Sequence, residues 1–72
     1  MVDMLNNVKK IRRDKKISQS ELAKRTGITR QTISLIEVGK YNPSLKLCIE
    51  LAEELDTDLN TLFWKVGEED VE

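Results

Sequence analysis

An all-α fold, a bundle of five short helices, is what this sequence predicts. Three observations carry the prediction. One Pro and three Gly in 72 residues leave most of the chain free to be helical. Asn, Ser, Thr and Asp recur just ahead of runs whose apolar residues return every three or four positions. Glycine closes two of those runs, at Gly27 and Gly39.

The first helix is expected from about Asn7 to Lys15, capped by Asn6 or Asn7, with Val8 and Ile11 one turn apart on one face. Ser18-Gln19-Ser20-Glu21 is a capping box. The Ser18 hydroxyl accepts from the Glu21 amide, and the Glu21 carboxylate reaches back. It opens a second helix, about Gln19 to Thr26, with Leu22 and Ala23 inward and Gly27 as its stop. Ile28 and Thr29 alone separate it from the next run. Thr29 caps Arg30 to Val38, Ile33 and Ile36 face inward, and Gly39 ends it. Two short helices joined by a tight glycine turn make a helix-turn-helix. After the loop Tyr41-Asn42-Pro43, Ser44 caps a fourth helix, Leu45 to about Leu55. Its stripe is Leu45, Cys48, Ala52 and Leu55, widened by Ile49 and Leu51. Asp58 caps a short fifth helix, Leu59 to about Trp64, with Leu59, Leu62 and Phe63 inward.

Composition narrows the function. Only about 60% of the surface of so short an unfolded chain can be buried, which leaves room for one domain and a surface site. His is absent and Cys48 is the only cysteine. A His/Cys metal centre, a His-activated nucleophile and an internal disulfide are therefore excluded. Neither a cofactor nor a small-molecule ligand is expected, and the chain is read as no enzyme. Cys48 lies on the apolar stripe as a small core residue rather than a reactive thiol. Asp56 and Asp58 flank a turn, where a cap is the natural role. No apolar run approaches the roughly 18 residues of a membrane span. The start lacks the features of a signal peptide, so a reducing, cytoplasmic setting without a membrane partner is expected.

The net charge of −1 hides an asymmetry. Residues 1–42 carry ten bases against four acids, and residues 43–72 carry two bases against nine acids. Such a split suits a polyanion-facing half and a repelled half, or equally two solvated faces of opposite sign.

Five segments now resemble a known family. They are Ser18-Gln19-Ser20-Glu21-Leu22-Ala23, Gly27 to Ser34, Ile36-Glu37-Val38-Gly39-Lys40, Asn42-Pro43-Ser44-Leu45 and Asp58 to Phe63. In this order they resemble the Cro/cI-type helix-turn-helix repressors, the XRE family, across about residues 7–63. The chain is most similar to small stand-alone members of the cytolysin-operon repressor type. The resemblance implies a five-helix bundle of the lambda-repressor-like DNA-binding type, with room for a short two-stranded terminal β-ribbon. Residues 1–66 would be the helix-turn-helix domain with its terminal dimerisation elements, and 67–72 an acidic tail.

It also implies a site on double-stranded DNA. The helix from Arg30 resembles a recognition helix lying in the major groove. Arg30, Gln31, Ser34 and Leu35 would face the bases. Arg and Gln are suited to bidentate bonding to guanine and adenine; Arg30 could instead be a phosphate clamp. Leu35 is either a thymine-methyl contact or one isolated surface leucine. Gln19, Thr29, Thr32, Lys40, Tyr41 and Asn42 would hold phosphates. For Gln19 the alternative is a neutral first-turn residue, and for Asn42 a simple turn beside Pro43. Glu37 would hold the motif together by pairing with Arg12. Lys9, Lys10, Arg12, Arg13, Lys15 and Lys16 cannot all touch DNA, and most would act as a long-range field plus a solvated face. Leu59, Leu62, Trp64 and Val66 are the expected homodimer contacts. The dimer would bind a pseudo-palindromic operator with recognition helices about 34–36 Å apart and repress by covering promoter DNA. An antitoxin-like, partner-binding helix-turn-helix protein is the alternative.

Overall fold

In the computed structural model, residues 6–64 are described, apart from the side chain of Trp64. Five helices follow in order: α1 (Val8–Asp14), α2 (Gln19–Thr26), α3 (Arg30–Glu37), α4 (Leu45–Glu54) and α5 (Asn60–Trp64). There is no strand among the described residues. The expected terminal ribbon, Val66 and the tail 67–72 lie outside them. No described helix is long and apolar enough to cross a membrane.

The caps form where the sequence places them. Ser18 Oγ accepts from the Glu21 amide at 3.0 Å, Thr29 Oγ1 from Thr32 at 3.1 Å and Ser44 Oγ from Leu47 at 3.2 Å. Asp58 Oδ1 accepts from Thr61 at 2.7 Å. The capping box is half built, because the Glu21 carboxylate turns outward and accepts from Arg25 Nε at 2.9 Å. The two asparagines divide the work expected of one. Asn6 Oδ1 accepts from the Val8 amide at 3.0 Å, while Asn7, at the cap position itself, gives its side chain to the carbonyl of Thr61 at 2.8 Å. Gly27 ends α2 at φ 73°, and Gly39 follows α3 at φ 80°. Lys16 (φ 62°) and Asp56 (φ 55°) adopt the same left-handed region just after α1 and α4 without glycine's freedom. α3 and α4 each stop one residue earlier than expected, with Val38 and Leu55 as C-caps. α5 is wound as a wide π-type turn.

The core gathers Val8, Leu22, Ala23, Ile33, Ile36, Leu47, Leu51, Ala52, Leu55 and Leu62, with Ile11, Ile17, Ile28, Leu59 and Phe63 half-buried against it. Each fully buried aliphatic side chain contributes about 1.5–3 kcal/mol. α2 packs on both α3 and α4, and α1 closes over α3 and α5.

Two expectations are corrected here. α4 keeps part of its predicted stripe: Leu51, Ala52 and Leu55 are buried as expected, but Leu47 joins them, whereas Leu45 is 66% and Ile49 41% exposed. The helix has apolar residues on most of its circumference, so periodicity alone does not select the face. Leu62 is fully buried inside the chain, which leaves its side chain no surface for a second copy. Its role is in the core.

Candidate nucleic-acid interface

Ile33 and Ile36 have no exposed surface, and their burial fixes the rotation of α3. The remaining positions then turn outward. Arg30, Gln31 and Leu35 are exposed and Ser34 is half-buried. The first two stand in the opening turn, just past the Thr29 cap. All four predicted base-facing residues thus share one surface. Leu35, 37% exposed, puts an apolar edge on an otherwise polar face.

A chain of polar contacts runs from the core to that surface. Arg12 is buried and donates from Nε to Glu37 Oε2 at 2.6 Å, from Nη2 to Glu37 Oε1 at 3.4 Å and from Nη1 to the Ile17 carbonyl at 2.8 Å. The side chain of Glu37 is only 2% exposed. A buried ion pair survives desolvation only when its remaining valences are satisfied. Here a third donor completes Glu37: Gln19 Nε2 reaches Oε1 at 2.9 Å. Gln19 Oε1 in turn accepts from Arg30 Nη1 at 3.3 Å. The amide orientation of Gln19 is therefore set by its neighbours. A flipped amide would face oxygen against carboxylate and NH2 against guanidinium.

The Arg12–Glu37 pairing expected from the sequence is present. The link onward through Gln19 to Arg30 is the feature sequence reasoning missed. It joins positions 12, 19, 30 and 37 across three helices, and no local period marks it. Gln19, read from sequence as a phosphate ligand, has one amide hydrogen directed to Glu37 and a second to offer an anion.

The other predicted phosphate contacts lie around the same motif. Thr29 and Thr32 bring their hydroxyls within 2.9 Å of each other at the start of α3. Unpaired amides and the helix dipole there favour an anion. Lys40, Tyr41 and Asn42 are exposed on the loop after Gly39. Lys9, Lys10 and Arg13 line an open crevice together with Asp14 and Glu37, so acids temper part of that positive face. Cys48 stands apart. Its Sγ lies 3.9 Å from the Pro43 carbonyl, and burial pushes the thiol above its ordinary value, partly offset by a backbone hydrogen bond.

The helix-turn-helix family matches residues 8–62. A protein of Archaeoglobus fulgidus described as an uncharacterized HTH-type transcriptional regulator is 42% identical over 60 residues, covering 83% of this chain and 84% of its own. Among solved structures, the restriction-modification controller protein C.AhdI from Aeromonas hydrophila superposes with a TM-score of 0.72 at 31% identity, over 76% of this chain and 80% of that one. The biofilm master regulator SinR, solved in complex with DNA, gives 0.70 at 32% identity, over 76% of this chain and 89% of its own.

Proposed function

The chain belongs to the helix-turn-helix family, and from that premise we propose that it is a repressor, binding a pseudo-palindromic operator as a homodimer. The coarser reading is a transcriptional regulator with a DNA-binding helix-turn-helix. The observation that supports sequence-specific DNA reading is the outer face of α3. Arg30 and Gln31 stand free of the core in its first turn while Ile33 and Ile36 anchor its back.

In this reading Arg30, Gln31, Ser34 and Leu35 read base edges in the major groove. Gln19, Thr29, Thr32, Lys40, Tyr41 and Asn42 hold phosphates on either side and fix register. Gln19 serves both tasks: its free amide hydrogen meets a phosphate while its oxygen steers the Arg30 guanidinium. Leu59, Trp64 and Val66 contribute to the contact between subunits. Occupancy of promoter DNA then blocks transcription.

Selection of bound fragments from random and genomic DNA, followed by footprinting, tests this. The expected result is one enriched sequence with two-fold symmetry and half-sites about 10–10.5 base pairs apart, centre to centre. Retention of all sequences alike would overturn the base-reading assignment. An enriched site without symmetry would overturn the dimer.

A further inference from the structure

α4 keeps part of its apolar surface uncovered. Leu45 and Ile49, one turn apart, are 66% and 41% exposed, on the side away from the buried Leu47 and Leu51. Lys46 and Glu53 are exposed beside them. The charges on this helix follow an unusual order. Its only base, Lys46, stands in the first turn, and Glu50, Glu53 and Glu54 occupy the second half. A lone helix favours the reverse, acids at the start and bases at the end, because of its dipole.

We propose that this face packs against the same face of a second copy, with the two α4 helices antiparallel about a two-fold axis beside Ile49. The proposal rests on the homodimer reading above and adds the outer face of α4 to the contact proposed there. Residues 46 and 53 are equidistant from the point between Ile49 and Glu50. Antiparallel pairing therefore brings each Lys46 alongside Glu53 of the second copy, twice per dimer. Parallel pairing would set base on base and acid on acid. The antiparallel arrangement also lays the acidic end of each helix beside the positive dipole end of the other. The charge order that disfavours the single helix thus becomes complementary in the pair. The two Ile49 side chains supply the apolar centre beside the axis, and each Leu45 adds apolar area at the end of the contact, beyond the Lys46–Glu53 pairs.

The test is sedimentation equilibrium of the full chain as wild type, Lys46→Glu, Glu53→Lys and the double variant, with circular dichroism to verify helix content. Both side chains are exposed, so neither change disturbs the core. The wild type is expected to dimerise. Each single reversal should raise the dissociation constant about tenfold or more, and the double variant should return to within about threefold of wild type. Four equal dimers, or single reversals that weaken without rescue in the double, would overturn the α4 pairing and leave the homodimer reading standing. A monomeric wild type would overturn both.

Discussion

α3 and α4 are both amphipathic helices in one small bundle, yet they present opposite surfaces. α3 has two isoleucines for the core and gives its other side to Arg30, Gln31, Ser34 and Leu35. α4 has more apolar residues than the core can accept and leaves Leu45 and Ile49 outside. α3 is further disciplined by polar contacts. Glu37 at its end is held by Arg12 and Gln19, and Arg30 at its start by Gln19. A polar, pre-ordered surface suits directional recognition of hydrogen-bonding edges. An apolar surface edged by charge suits non-directional burial against a partner.

The sharpest way to break this comparison is to remove the framework behind α3. Glu37→Ala leaves the Arg12 guanidinium buried without its counter-charge. It should cost about 3–5 kcal/mol, the range for orphaning one member of a buried pair; urea unfolding monitored by circular dichroism measures it. A loss under about 1 kcal/mol would mean that solvent reaches the pair.

Within α4, truncation should separate the two faces. Leu51→Ala, in the core, should cost about 2–5 kcal/mol of folding stability. Ile49→Ala should change the stability of the separated chain by no more than about 0.5 kcal/mol. Equal losses in dilute unfolding experiments would mean that the exposed face is part of the core.

The outer face of α3 responds in binding. Arg30→Ala and Gln31→Ala should each weaken operator binding by about 1–3 kcal/mol and relax preference at single positions. Gln19→Ala adds a finer distinction. Loss of a residue that only held a phosphate would weaken all sequences alike, whereas loss of its hold on Arg30 should also alter preference at the position assigned to Arg30 in the proposed reading. Affinity for matched and mismatched operators separates the two outcomes.

Much of this architecture was legible in the sequence because it is written locally. Ser18, Thr29, Ser44 and Asp58 each precede their helix by the spacing a cap requires, and Gly27 and Gly39 mark the turns. The outward face of α3 was readable because only Ile33 and Ile36 could be its back. The covered face of α4 was readable only in part: Leu51, Ala52 and Leu55 were placed inward, but Leu45, Leu47 and Ile49 were not placed correctly, since apolar residues surround most of the helix and only neighbouring helices decide which are covered. The side-chain tasks of Asn6 and Asn7 depend on partners thirty or more positions away. The Glu37–Gln19–Arg30 link is likewise a product of packing.

Asn7, which ties α1 to α5, also bears on the order in which the molecule assembles. The Asn7 amide donates to the Leu62 carbonyl at 2.8 Å, and its side chain donates to Thr61 across 54 positions. Contacts this distant in sequence carry the largest loop-closure entropy and are expected late on the folding route, after α2 and α3 have met across their short turn. Asn7→Ala should therefore accelerate unfolding in stopped-flow measurements and leave the refolding limb nearly unmoved. An equal slowing of refolding would put closure of the chain ends in the nucleus instead. With late closure, the ends act as a latch: the paired helices of the turn form first, and the lifetime of the folded state is governed by how often the first and last helices part.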